Sequence, residues 1–81
     1  MHGYLITFRS VTPAQRGESW LRRNAIDCTL RRTPRWMEEQ GCGYSLWVED
    51  GAAAAALLRS HQAPFRKIYF RRNGRVEEVE L

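Results

Sequence analysis

Four runs that alternate apolar and polar residues are interleaved with two helical runs, and this order leaves few folds open. Residues 4–10 set Tyr4, Ile6 and Phe8 on one side and Leu5, Thr7 and Arg9 on the other, the pattern of a half-buried strand. Thr12-Pro13-Ala14-Gln15 then reads as a helix start. Thr12 is the expected cap, Pro13 suits the first helical position and Gln15 completes a capping box. Ala14, Gly17 and Leu21, with Trp20 beside them, make a narrow apolar stripe, small enough at Ala14 and Gly17 to lie close on a sheet. Asn24 is the expected left-handed end of that helix.

A second strand is expected over residues 27–33, with Ile26, Cys28 and Leu30 inward, ended by Pro34. Residues 34–43 carry no period and close on Gly41-Cys42-Gly43. A third strand follows over 44–49, with Tyr44, Leu46 and Val48 alternating against Ser45 and Trp47. Asp50 caps an alanine-rich helix running to about His61, and Pro64 bars its continuation. Residues 67–72 form a fourth strand with Ile68 and Phe70 inward, and Asn73-Gly74 turns the chain into a fifth, irregular edge strand over 75–81. The reading is an α+β, ferredoxin-like βαββαβ sandwich: an antiparallel sheet, two helices on one face and a C-terminal hairpin strand. Residues 1–81 are read as a single domain.

Composition narrows the chemistry. The chain is 81 residues long and 43% hydrophobic, enough for a packed but thin core. No apolar run reaches a membrane span, and the opening residues lack a secretory pattern, so the expected address is cytoplasmic. Cys28 and Cys42 are too few for a disulfide scaffold, and His2 and His61 stand at no metal-ligand spacing from either, so no metal or other cofactor is expected. The net charge of +4 rests largely on arginine, which favours bidentate contacts to carboxylate or phosphate but also serves simply to solvate a surface. No constellation of acid, base and nucleophile is legible, so the chain is not read as an enzyme.

The one residue with a chemical case is Cys42. In the expected topology its loop lies at the sheet end where the first helix opens, with Arg9 and Arg35 near and the helix dipole favouring an anion. A thiol so placed has its pKa lowered. Gly41 and Gly43 would leave the sulfur open to a large partner. Gly41-Cys42-Gly43 is equally compatible with a plain tight turn. Cys28, alternating with Ile26 and Leu30, reads as a core thiol, His61 as a solvated helix-end residue, and Glu38 and Glu39 as solvated charges.

The run Tyr4-Leu5-Ile6-Thr7-Phe8 before a capped helix, then Pro34-Arg35, then Gly41-Cys42-Gly43, resembles the small bacterial family of selenium/sulfur carrier-like proteins over roughly residues 3–70. The resemblance implies a persulfide or selenopersulfide held on one cysteine, Cys42 by motif. Pro34 and Arg35 would shape the loop, with Gly41, Gly43, Thr12 and Arg9 around the anion. It also implies donor and acceptor proteins as partners. Two departures stand out: Ala25 where the family often has a helix-ending glycine, and the hairpin beyond Phe70.

The face turned from the helices offers a different function. Thr7, Arg9, Thr29, Arg31, Ser45, Trp47, Lys67 and Tyr69 should point there. Arg31, Trp47, Lys67 and Tyr69 together resemble a surface that stacks single-stranded RNA or DNA, although the glycine-aromatic signature of RNA-recognition sheets is missing. The same face, if Leu5, Trp47 and Tyr69 were exposed on it, would suit a protein-interaction module or a homodimer.

Overall fold

The computed structural model describes residues 3–33 and 43–81. Strand β1 (Gly3–Phe8) leads into helix α1 (Val11–Arg23), followed by β2 (Cys28–Arg32), β3 (Tyr44–Val48), α2 (Gly51–Ser60), β4 (Ile68–Arg72) and β5 (Arg75–Val79). The sheet order is β2-β3-β1-β4-β5, and every neighbouring pair is antiparallel. This is the ferredoxin-like arrangement with one added edge strand.

Register confirms the inward sets. Ile6 faces Leu46 on one side and Ile68 on the other, Leu30 faces Leu46, and Cys28 faces Val48. These residues join Phe8, Ala14, Leu21, Ala54, Ala55 and Leu58 in one core between the sheet and the helices. Phe70 lies on the same face but is only half-buried, its ring 5.0 Å from that of Tyr4. Helix α1 comes close because Gly17 has no side chain. A Cβ there would sit 3.0 Å from Phe8 Cζ and 3.2 Å from Leu46 Cδ1.

The helix ends differ from the sequence reading in instructive ways. Helix α1 begins at Val11, so its N-cap is Ser10, in extended conformation and with no side-chain cap hydrogen bond, and not Thr12. Pro13 is tolerated one turn deep because the first N–H groups of a helix have no carbonyl partner to lose. At the other end Asn24 has φ −107°, and the left-handed residue is Ala25 at φ 60°. Ala25 N donates to Arg22 O and Ile26 N to Leu21 O, the paired bonds of a Schellman ending. Helix α2 is capped by Asp50, whose Oδ1 accepts from Ala53 N at 3.0 Å. It ends the same way: Gln62 at φ 54° donates to Arg59 O, and Ala63 N donates to Leu58 O. Pro64 therefore follows an ending already made. Asn73 and Gly74, both at positive φ, form the expected hairpin turn between β4 and β5.

Candidate functional site: the end of the sheet where α1 opens

Pro34, Arg35, Gly41 and Cys42 lie outside the described residues, as do Glu38 and Glu39. The two ends of their segment are described. Arg32 and Phe8 both pair with Tyr44, and Thr33 N donates to Gly43 O at 3.0 Å. Thr33 and Gly43, both buried, therefore stand at the end of the sheet where β1 passes through Arg9 into α1. Thr33 Oγ1 is buried there with no hydrogen-bond partner among the described residues. Arg9 and Thr12 are exposed at this end, Arg9 just before α1 and Thr12 in its first turn.

The same end carries a basic cavity of about 450 Å³, lined by Arg9, Pro13, Pro64, Phe65, Arg66 and Lys67. Thr7, hydrogen-bonded to two of these residues, is only 2% exposed. Thr7 N donates to Lys67 O, Arg66 N donates to Thr7 O, and Lys67 N donates to Thr7 Oγ1. Two residues approaching β4 thus share one residue of β1, which is a β-bulge. Both residues border the cavity, and the Lys67 side chain reaches Glu78, the cross-strand partner of Tyr69. Arg66 and Phe65 did not stand out in the sequence, where Pro64 read only as a helix stop.

Cys28 is a core thiol, 7% exposed. Burial pushes its pKa up, opposed by the Arg22 guanidinium and reinforced by Glu18 and Asp27. Arg22 Nη2 also donates to Cys28 O at 3.0 Å and pairs with Glu18, tying α1 to β2. His61 stacks on Trp20 at 3.8 Å between ring centroids, nearly parallel, with Arg23 on the same indole.

The opposite face does not match its expectation. Leu5 is fully buried between its cross-strand neighbours Trp47 and Tyr69, which are themselves half-buried. Thr7 and Ser45 are buried beside it. The Arg31 and Arg71 guanidinium carbons lie 5.6 and 4.9 Å from the Trp47 ring centroid. Long arginine stems cover apolar surface while their charged ends stay wet. The exposed apolar patch expected to drive self-association is therefore absent among the described residues, where Leu81 is the exposed large apolar side chain. The Trp47 ring, occupied by guanidinium groups, is also not a free stacking platform. Lys67 sits 3.5 Å from Glu78, which faces Tyr69 across the β4–β5 ladder.

These features define a small ferredoxin-like α+β domain whose basic end brackets a cysteine-bearing segment. Over residues 3–70 the chain matches the family described as "Putative Se/S carrier protein-like", and it belongs to that family. The added strand β5 lies beyond the match. No curated protein and no solved structure matches the chain. No helix among the described residues is long and apolar enough to cross a membrane.

Proposed function

We propose that the chain carries selenium or sulfur as a selenopersulfide or persulfide on Cys42, receiving it from one protein and passing it to another. The observation that carries this reading is the family match, which spans the whole segment containing Pro34, Arg35, Gly41, Cys42 and Gly43. The chemistry of the other cysteine adds to it: Cys28 is buried with its ionisation suppressed, which makes it a poor nucleophile. Thr33 and Gly43, the described ends of that segment, stand at the end of the sheet where α1 opens, a place that favours an anion.

The transfer needs no acid or base from this chain. Cys42 thiolate attacks the terminal sulfur or selenium of a donor's persulfide-type group. A bond forms from Cys42 Sγ to that atom as the donor's own bond to it breaks, leaving the donor as a thiolate. Oxidation state is conserved overall, and the reverse exchange with an acceptor thiol empties the carrier. Arg9 and Arg35 serve as cations for the thiolate, with Thr12 exposed in the nearby helical turn.

Intact-mass measurement after incubation with a cysteine desulfurase and cysteine, or with selenocysteine in its place, tests this. A gain of one sulfur or selenium atom that vanishes in Cys42→Ser is the expected result. No gain, or a gain retained in Cys42→Ser, overturns the proposal.

A further inference from the structure

The sheet face that the helices leave bare carries a cation–indole–cation line that the carrier reading does not use. Arg31 from β2 and Arg71 from β4 approach Trp47 from opposite sides of β3, their guanidinium carbons 5.6 and 4.9 Å from its ring centroid. Arg71 can cross β1 because its partner there is Gly3, which presents no side chain. A guanidinium resting over an indole keeps its N–H donors, which lie in its own plane, available to an anion. Among the described residues no carboxylate forms an ion pair with either arginine. Glu78 is held by Lys67 at 3.5 Å, Glu18 by Arg22, and Glu49, exposed just beyond β3, pairs with neither. The Trp47 indole is a second, independent observation. Its Nε1 is buried with no hydrogen-bond acceptor among the described residues, although native structures pair nearly all such donors.

We propose that this face docks an acidic protein segment, its carboxylates taken by Arg31 and Arg71 on either side of Trp47 and the indole N–H donating to one of them. A carboxylate matches the planar fork of arginine in two parallel hydrogen bonds, and two arginines set apart by an indole call for two carboxylates along one chain. A nucleic-acid strand fits less well, since its bases need an aromatic face that here is covered. Leu5, fully buried between Trp47 and Tyr69, gives the line a firm base. The side chains that bury Nε1 must shift to admit an acceptor, so the indole proton reports docking directly. The surface is independent of Cys42: a Cys42→Ser chain should dock equally well.

The test is an NMR titration of the full chain with hexaglutamate at low salt, set beside hexaglutamine and oligothymidylate. The Trp47 indole N–H and the Arg31 and Arg71 Nε–H signals should shift and saturate, the indole proton moving downfield. Hexaglutamine should leave them in place. Affinity should fall about tenfold in Arg31→Gln and in Arg71→Gln, and less in Arg31→Lys, which keeps the charge but loses the fork. Neither arginine belongs to the core, so the folded spectrum should survive. Shifts that do not saturate, or that spread equally over Arg9, Arg72 and Arg75, overturn the proposal. So does tighter, Trp47-dependent binding of oligothymidylate, which would assign the face to nucleic acid. A gain in affinity when Glu38 and Glu39 are both replaced by Gln also overturns it, since the chain's own acidic pair would then be the occupant.

Discussion

Gly51 rests directly on the ring of Tyr4: a Cβ built on Gly51 would stand 2.5 Å from Tyr4 Cγ. The first turn of α2 and the first residues of β1 therefore meet with no room for a methyl group. By helix propensity alone, Gly51→Ala should gain up to about 1 kcal/mol. The contact reverses the sign, and urea unfolding should show a net loss of about 1–3 kcal/mol from overpacking. In a Tyr4→Leu background the loss should shrink, because the smaller side chain can give way. An unchanged or raised midpoint for Gly51→Ala would show that Tyr4 does not hold this position.

Ala25 and Gln62 occupy left-handed positions that cost an L-residue about 1 kcal/mol relative to glycine. Ala25→Gly and Gln62→Gly are each expected to raise stability by about 0.5–1 kcal/mol, after the added entropy of the unfolded glycine chain is subtracted. They end different helices, so the double variant should show nearly the sum. Equilibrium unfolding in urea checks both.

Arg71 on β4 reaches across β1 to Trp47 on β3, on the sheet face that the helices leave bare, with the guanidinium carbon 4.9 Å from the ring centroid. A double-mutant cycle with Arg71→Ala and Trp47→Leu should return a coupling of about 0.5–1 kcal/mol. Because this ring is occupied, Trp47→Ala should leave any low-salt oligonucleotide binding unchanged. A Trp47-dependent, steeply salt-dependent affinity would restore the nucleic-acid reading.

Cys28 has its pKa raised in the folded chain, chiefly by desolvation. Its contribution to stability is therefore complete below the pH at which an unfolded thiol ionises and is lost as pH rises from about 8.5 through the folded value. Unfolding free energy should decline along this alkaline limb, and the decline should flatten in Cys28→Val. In the folded chain iodoacetamide should spare Cys28. On the proposed function it should label Cys42 at a pH well below that of an ordinary thiol.

Much of the architecture could be read from local pattern. Period-two alternation placed Ile6, Phe8, Cys28, Leu30, Leu46, Val48 and Ile68 on the core face, and register bears this out. Asp50 and the Asn73-Gly74 turn were legible because each acts on its own neighbours through a few bonds. Thr12 misled because Ser10, already extended, lets the helix begin two residues earlier than Pro13 suggests. The burial of Leu5 was not legible, because it depends on two ring-bearing strands from distant parts of the chain closing around it.

What the amino-acid order settles here is whatever a residue decides with its near neighbours: which segments coil, which extend, and which side chains share a face. The cavity belongs to the tertiary structure. Arg66 and Lys67 border it because Thr7, sixty residues from Lys67, accepts a hydrogen bond from the backbone N–H of each. Such a pairing exists only once β1 and β4 lie side by side, since a backbone group commits its bonds to whichever strand folding brings against it.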